Sequence, residues 1–266
     1  MSNLSVTVSF LIRLSRVYIE LPGISIYTFC SLLLVSSVVH LHAQTGPGGV
    51  GNPAGTSNLY YWIDANTQAQ SVNGNLTELQ DLSGNNAGNT IIGTPLLIQN
   101  EVNQRNAIRF NGVDQQILTN TFINAALHPE LTIIAVYRPT VDQAGSVWGE
   151  YQTGWDGRYI TDNNFDPPQT SSFVGLGYEP LSGNAPSSAI PGLFEPNEWV
   201  ISTVVFREDV PNGSIVRINA FQERAFTCNH NPGVYNYFAI GAGGASFVTY
   251  PFWFNGDVAE LIVFSE

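Results

Sequence analysis

The chain has 266 residues and a net charge of −12, and its basic residues are all arginine. An acidic chain without a cluster of basic residues repels a phosphate backbone, so the composition argues against nucleic acid as a partner. Hydrophobic residues make up 44% of the sequence, which is enough for one large core, and all-β sandwiches of roughly 200–250 residues commonly form a single domain.

Residues 1–43 have the pattern of an export signal. Arg13 and Arg16 supply positive charge, an apolar run extends from Ile24 to Leu41, and Ala43 is a small residue at the expected cleavage point. A transmembrane anchor is the alternative, but serine and histidine interrupt the run, which is short for a span of about 20 apolar residues. The sequence therefore predicts a cleaved signal peptide, with membrane contact only through this signal.

The predicted domain follows a short linker. Residues 44–57 are rich in glycine and proline, as is typical of a flexible linker, so the folded domain is expected to span residues 58–266. Cys228 is the single cysteine in that range, which excludes an internal disulfide. A nucleophilic pair of Cys228 with His230 is the alternative to a plain buried thiol. Because the two residues lie two positions apart on one strand or turn, their side chains are not expected to be aimed at each other as a nucleophile and its base must be.

From residue 58 onward, short runs of β-branched and aromatic residues alternate with turn residues, which predicts an antiparallel two-sheet β-sandwich. A single helical turn is predicted over Asn120–Leu127. Two nearly continuous apolar runs, Leu131–Val136 and Val200–Phe206, are expected to be central strands covered on both faces. The predicted strands are Tyr60–Ile63, Ala107–Phe110, Leu131–Tyr137, Ser146–Tyr151, Tyr159–Ile160, Phe173–Tyr178, Trp199–Phe206, Ile215–Phe221, Phe238–Ile240 and Val258–Phe264.

A repeated motif punctuates these strands. Phe110-Asn111-Gly112 and Phe254-Asn255-Gly256 each join a strand-like run to an Asn-Gly pair. Because Asn-Gly tolerates positive φ at both central positions of a tight turn, each copy predicts a β-hairpin.

Several segments follow one another in an order that resembles the laminin-G-like, concanavalin A-like lectin-glucanase jelly-roll domains of secreted bacterial proteins. The resemblance implies a jelly roll of two packed sheets, glycan or protein binding, adhesion, and in some members a bound calcium ion. It places Trp62 and Trp199 on core strands. It also implies further modules after the closing strand, so the chain is expected to be a truncated piece of a longer protein. The segments are Trp62–Ala65, Asp81–Asn86, Ile108–Asp114, Leu131–Tyr137, Glu198–Ser202 and Phe254–Ser265.

The glucanases of this fold use two carboxylates on one strand, at spacings that place both on the same face. The nearest pairs here, Asp257 with Glu260 and Glu195 with Glu198, have odd intervals and are predicted to face apart. Two histidines in the domain, His128 and His230, do not form a zinc-type cluster by spacing. The sequence therefore favours a domain without catalytic residues, and a glycoside hydrolase stays an alternative.

Calcium is the candidate cofactor, because it takes carboxylate, amide and carbonyl oxygens that sandwich loops supply. Asp81, Asn85 and Asp114 lie in glycine- and asparagine-rich turns and are the predicted ligands. The alternative is that the aspartates make Asx turns with their own backbone.

Aromatic and polar residues are densest in the middle of the chain. Aromatic faces stack on sugar rings while amides and carboxylates bind hydroxyls, so this segment is the predicted ligand-binding site; Trp148, in a strand-like run, is assigned to the core. The sequence thus predicts a non-catalytic, secreted or cell-surface binding or adhesion module for carbohydrate, with a glycan or cell-surface protein as partner. A structural spacer in a larger surface protein is a further alternative. The predicted ligand-binding residues are Tyr151, Gln152, Trp155, Asp156, Arg158, Tyr159 and Asn163.

Overall fold

The computed structural model describes residue 47 and the ranges 58–140, 145–150, 158–162, 171–174, 190–191, 197–219, 222–229, 237–243 and 253–265. All of these residues lie in the unit that spans Ala43–Glu266. Within these ranges there is no helix with the length and apolar character that crossing a bilayer requires.

The described residues form an all-β sandwich of two antiparallel sheets, as predicted. Sheet A has ten strands in the order β15-β14-β13-β8-β17-β6-β5-β3-β2, with β1 paired to β17, and sheet B has seven in the order β12-β11-β10-β9-β16-β7-β4. The strands are β1 Leu59–Asp64, β2 Ala69–Val72, β3 Asn75–Leu79, β4 Asn89–Ile92, β5 Leu96–Val102, β6 Arg105–Asn111, β7 Gln116–Phe122, β8 Glu130–Pro139, β9 Gly145–Glu150, β10 Tyr159–Asp162, β11 Ser171–Val174, β12 Ile190–Pro191, β13 Val200–Arg207, β14 Ser214–Ile218, β15 Gln222–Phe226, β16 Tyr237–Ile240 and β17 Asn255–Ser265.

The core lies between the two sheets and is rich in aromatic rings. Trp148 of β9 is fully buried, as predicted, with its ring centroid 6.3 Å from Phe206 of β13 and 6.2 Å from Phe238 of β16. Tyr61 of β1 meets Phe238 edge-on at 5.8 Å. Each fully buried aromatic side chain contributes on the order of 1.5–3 kcal/mol, so these cross-sheet contacts hold the layers together.

The central strands of sheet A are covered on one face rather than on both. Along β8 and β13 the buried residues alternate with partly exposed ones, and Ile201 is 50% exposed. The prediction of two covered faces was wrong because Ile134, Val136 and Ile201 are apolar yet belong to the outer face. A continuous apolar run therefore does not by itself indicate two-sided burial.

The two Phe-Asn-Gly motifs do not form hairpins. The first ends β6 and leads through Gly112, with φ of 71°, to β7 in the other sheet. The second leads into β17, where Asn255 pairs with Asn111 and Gly256 with Phe110. A Cβ added to Gly112 would lie 2.7 Å from the Asn255 Cβ. The hairpin prediction was wrong because these copies are neighbours in one sheet and not separate turns.

The predicted helical turn is shorter than expected. Strand β7 continues through Phe122, and one turn follows, in which the His128 backbone N–H donates to the Asn124 carbonyl at 3.0 Å. Residues 120–122 are extended because they belong to β7, whose last residue, Phe122, pairs with Tyr237 of β16.

A buried carboxylate joins three strands on the outer face of sheet A. Asp257 of β17 is fully buried and accepts hydrogen bonds from Arg109 of β6 at 2.7 and 3.0 Å and from Arg138 of β8 at 3.0 Å. Arg138 also donates to Glu101 of β5 at 2.8 Å, and its guanidinium lies 5.1 Å from the ring of Trp199. The network ties β5, β6, β8 and β17 together, and it places Trp199 on a partly exposed surface, not in the core.

A bulge in β17 changes which face its carboxylates occupy. Val258 pairs with Tyr137, whereas Glu260 pairs with Val136, so Ala259 is one extra residue. The bulge places Asp257 and Glu260 on the same face, whereas their odd interval predicted opposite faces. The interval failed as a guide because it assumes an unbroken period of two.

The Asp257 network predicts a large stability cost on its removal. Asp257→Ala leaves two arginines without their shared carboxylate, and we expect unfolding free energy to fall by about 2–4 kcal/mol, below the fully buried limit since Arg109 is 37% exposed. Urea unfolding measures the change. The control is Glu223→Ala, which breaks an exposed pair with Arg217 and should cost at most about 1 kcal/mol. Equal losses in the two variants would contradict the prediction.

Candidate ligand-binding groove

An open groove of about 400 Å³ lies beside β1 and combines one aromatic ring with several amides. Its walls come from β1, the turn that follows it, and the loop between β3 and β4. We call it the Trp62 groove. It is lined by Trp62, Thr67, Gln68, Gln80, Asp81, Leu82, Gly84 and Asn86.

Trp62 is held at both its backbone and its ring. Its backbone N–H donates to Asp81 Oδ1 at 3.1 Å, and its carbonyl accepts from the Leu82 N–H at 2.8 Å. The indole Nε1–H donates to Glu260 Oε1 at 2.9 Å. The side chain is half-buried, so the ring is fixed in place while part of it stays open to the groove. This differs from the packing role that the sequence predicted.

Asp81 holds the wall of the groove beside Trp62. Besides the bond from Trp62, its carboxylate accepts from the Ser83 N–H at 2.9 Å, the Ser83 hydroxyl at 2.8 Å and the Ala87 N–H at 2.9 Å. Asn85 adds two bonds from its side-chain amide to the carbonyls of Leu59 at 3.0 Å and Tyr60 at 2.9 Å. The loop is therefore hydrogen-bonded along β1.

The rim of the groove presents amides on a constrained backbone. The side chains of Gln68, Gln80 and Asn86 are exposed. Gln68 and Asn86 have φ of 57° and 56°, in the left-handed region that costs non-glycine residues energy. Strain of this kind persists where surrounding contacts impose it, and here the Asp64 carboxylate accepts from the Thr67 hydroxyl at 3.0 Å and also bonds Arg105.

The hydrogen bonds of the predicted metal ligands bear on the metal site to different degrees. Both oxygens of Asp81 are used as above, and Asp114, in the turn between β6 and β7, accepts from the Asn111 amide at 2.8 Å. The two bonds of Asn85 come from its amide nitrogen, which is not the atom that would bind calcium. The Asp81–Ser83 bond is an Asx turn, the alternative that the sequence left open. In the part of the chain that the structure describes, no three His, Cys, Asp or Glu side chains are grouped to hold a metal. Calcium binding therefore stays a prediction of the sequence, and the occupied oxygens of Asp81 argue against it.

The predicted ligand-binding residues divide into two groups. Tyr151, Gln152, Trp155, Asp156 and Asn163 lie outside the described residues, and of Tyr159 only the backbone, in β10, is described. These residues remain a prediction.

Arg158 has a structural position instead of a surface one. It is fully buried, with its guanidinium 2.7 Å from Glu208 Oε1, 2.9 Å from the Ile123 carbonyl and 4.6 Å from the Phe206 ring centroid. The predicted surface contact is corrected because a buried guanidinium requires these partners and cannot reach a ligand at the surface.

Two further titratable groups lie near Arg158. Burial raises the pKa of Glu150 to about 8, although its Oε2 accepts from the Arg158 N–H at 3.2 Å. Burial likewise raises the pKa of the Cys228 thiol to about 11, and its sulfur lies 3.0 Å from the Ser214 hydroxyl. Cys228 is the buried thiol that the sequence predicted and lacks the lowered pKa of a nucleophile. His230 lies outside the described residues.

Sequence reasoning missed the Trp62 groove because it assigned Trp62 to the core. The available signal was the Asp81-Leu82-Ser83-Gly84 turn together with exposed amides at Gln68, Gln80 and Asn86. Such a turn predicts a polar loop, but only the pairing of β1 with β17 shows that Trp62 faces it.

No protein-family model and no curated protein matches the chain. Among solved structures, the chain is similar to the botulinum neurotoxin serotype D/C VPI 5993 binding domain, with a TM-score of 0.50 at 10% identity over 78% of this chain and 48% of that one. A serotype D binding domain gives 0.45 at 10% identity, over 78% and 48%. A binding domain of botulinum neurotoxin DC in complex with rat synaptotagmin II gives 0.46 at 13%, over 74% and 47%.

The chain thus spans about half the length of the solved binding domains that it matches. At this identity the likeness shows the fold alone, which is a β-sandwich. The laminin-G-like, concanavalin A-like assignment is not among these matches and remains a resemblance of sequence motifs.

The raised pKa of Glu150 predicts a pH-dependent stability. The folded pKa of about 8 exceeds the ordinary glutamate pKa of 4.5, so the folded state holds the proton more tightly, and stability is lost as pH rises from about 4.5 through 8. The limiting slope is about 1.4 kcal/mol per pH unit. We expect Glu150→Gln to lack this loss, so its unfolding free energy should increase relative to that of the wild type between pH 5 and 8.5. The control is Glu198→Gln, at an exposed position. If stability changes with pH in the same way for the wild type and Glu150→Gln, Glu150 is not the cause of the pH dependence.

The occupied oxygens of Asp81 predict indifference to calcium. A cation at Asp81 would have to displace four N–H or O–H donors. We expect calcium and a chelator to give melting temperatures within about 1 °C, because binding that stabilised the fold would raise the melting temperature with metal concentration. A rise in melting temperature with calcium that Asp81→Asn abolishes would contradict this expectation and support a calcium site at Asp81.

Proposed function

We propose that the chain is a non-catalytic binding or adhesion module, secreted or displayed at the cell surface, whose Trp62 groove binds carbohydrate. The observation that carries the proposal is the half-buried indole of Trp62 in an open groove with the exposed amides of Gln68, Gln80 and Asn86. A ring held by its backbone and its Nε1–H needs little ordering when a ligand arrives.

The chemistry of these groups fits a sugar. An aromatic face stacks on the C–H face of a pyranose, while primary amides donate to and accept from its hydroxyls. Gln80 also donates to Glu78 at 2.6 Å, which orients its amide. The groove is open, so recognition is shallow, and we expect dissociation constants in the millimolar to micromolar range, about −4 to −8 kcal/mol.

The fold supports a binding role of this kind. The β-sandwich is similar to that of a neurotoxin binding domain, and loops of a sandwich are common places for recognition sites. A glycan or a glycan-bearing surface protein is the partner class that the groove fits.

A glycoside hydrolase on this face is disfavoured by the state of its carboxylates. Asp257 and Glu260 share a face, but Asp257 is fully buried between Arg109 and Arg138. A carboxylate so enclosed cannot reach an anomeric carbon or a leaving-group oxygen, which a catalytic pair must do. Glu260 instead accepts a hydrogen bond from the indole Nε1–H of Trp62.

Glycan-array binding by the secreted protein tests the proposal. We expect Trp62→Ala to weaken binding at least tenfold, about 1.4 kcal/mol or more, because it removes the stacking surface. Trp199→Ala is the matched control, since Trp199 is also a partly exposed tryptophan beside sheet A but lies on Arg138 outside the groove.

Three results would contradict the proposed site in different ways. Loss of binding in Trp155→Ala with none in Trp62→Ala would move the site to the segment that the sequence predicted. Equal loss in Trp62→Ala and Trp199→Ala would indicate a stability effect. Absence of binding to any glycan would favour the spacer alternative.

A further inference from the structure

A side-chain hydrogen bond joins Trp62, near the start of the domain, to Glu260, near its end. The indole Nε1–H of Trp62 donates to Glu260 Oε1 at 2.9 Å, although the two residues are 198 positions apart. The bond links the first strand of the sandwich to the last. Because the indole has a single N–H donor, this contact fixes the direction in which the ring edge points.

The regular pairing of β1 with β17 brings Glu260 to that position. Trp62 pairs with Ile262, and Glu260 is two residues from Ile262, which places the Glu260 and Trp62 side chains diagonally on one face. The bulge at Ala259 interrupts the period of two, so Asp257, three residues before Glu260, lies on the same face with its arginines. Bulges commonly re-aim a side chain beside a functional site.

We propose that Glu260 is a positioning residue for ligand binding: its carboxylate fixes the plane of the Trp62 indole so that the ring is already placed to stack on a sugar. This inference rests on the proposed function of the Trp62 groove. Without the acceptor, the ring can turn about its side-chain torsions, and a ligand must then order it on binding.

The backbone contacts of Trp62 make the effect specific to the side chain. Asp81 and Leu82 hold the Trp62 backbone independently of Glu260. Removal of the Glu260 carboxylate therefore frees the ring and leaves the wall of the groove in place. A purely structural role for Glu260 predicts instead a loss of stability without a selective change in the indole.

The test compares Glu260→Ala, Glu260→Gln and Glu260→Asp in the otherwise unchanged protein. Glutamine keeps an oxygen at the same reach that accepts the indole N–H, whereas alanine has none and aspartate is one methylene shorter. Affinity is measured for the glycan that scores highest on the array with the wild type. Hydrogen exchange of the Trp62 indole N–H, assigned with Trp62→Phe, gives a second readout that needs no ligand.

We expect Glu260→Ala and Glu260→Asp to weaken affinity about three- to tenfold and to speed exchange of the Trp62 indole N–H. Glu260→Gln should restore both to within about twofold of the wild type. Glu198→Ala, an exposed carboxylate on another segment, should change neither. Because Glu260→Asp keeps the charge and most of the volume, it carries the test if the alanine variant does not fold.

The outcomes separate this inference from the proposed function. If Trp62→Ala loses binding while Glu260→Ala and Glu260→Asp bind like the wild type, the positioning role is overturned and the groove stands. If Trp62→Ala binds normally, the proposed function fails. Faster indole exchange in Glu260→Ala would then show that Glu260 holds the indole, without any role in ligand binding. If the Trp62 indole N–H exchanges at the wild-type rate in Glu260→Ala, the positioning role is overturned, whatever the affinity for the glycan.

Discussion

Strand β17 is the element on which the arrangement of sheet A depends. It pairs with β8 along its length, with β6 over its first residues and with β1 over its last. Its register is strongly specified, because a shift by one residue would carry Asp257 from its arginines into the apolar interior. The same register decides where Glu260 points. The fold and the Trp62 groove thus depend on one strand with one bulge.

The loop between β3 and β4 shows how a polar segment takes the place of a strand beside β1. Asp81 accepts bonds from three residues, one of them Trp62, and Asn85 donates to two carbonyls of β1. Each such bond contributes on the order of 1 kcal/mol, and a buried N–H left without a partner costs more. The carboxylate that the sequence predicted as a metal ligand holds the wall of the groove by these bonds.

The strands that the sequence predicted are those with apolar runs, and they are largely present: β1, β6, β8, β13 and β17 hold the predicted segments. Strands such as β2 and β3 were missed because they are short and mostly exposed, so no alternating apolar face marks them. The class of the fold follows from local patterning, whereas edge strands are defined by their neighbours.

The candidate site was harder to predict for a related reason. Tyr60, Tyr61 and Trp62 are successive aromatics, and composition does not tell which of them faces the core. Pairing with β17 buries Tyr61 and leaves Trp62 half-buried. Arg158 is the converse case, since its burial depends on Glu208, which lies 50 positions away in the sequence. Long-range partners decide both assignments.

The distribution of charge bears on what the groove can recognise. The described carboxylates that lie nearest the groove have partners: Asp64 bonds Arg105, Asp81 bonds backbone N–H groups, and Glu260 bonds Trp62. Neutral amides are therefore the groups left at the rim for a ligand. A chain with a net charge of −12 also repels anionic ligands at a distance. Under the proposed function, stacking on Trp62 and hydrogen bonds from amides would favour an uncharged sugar over an acidic one.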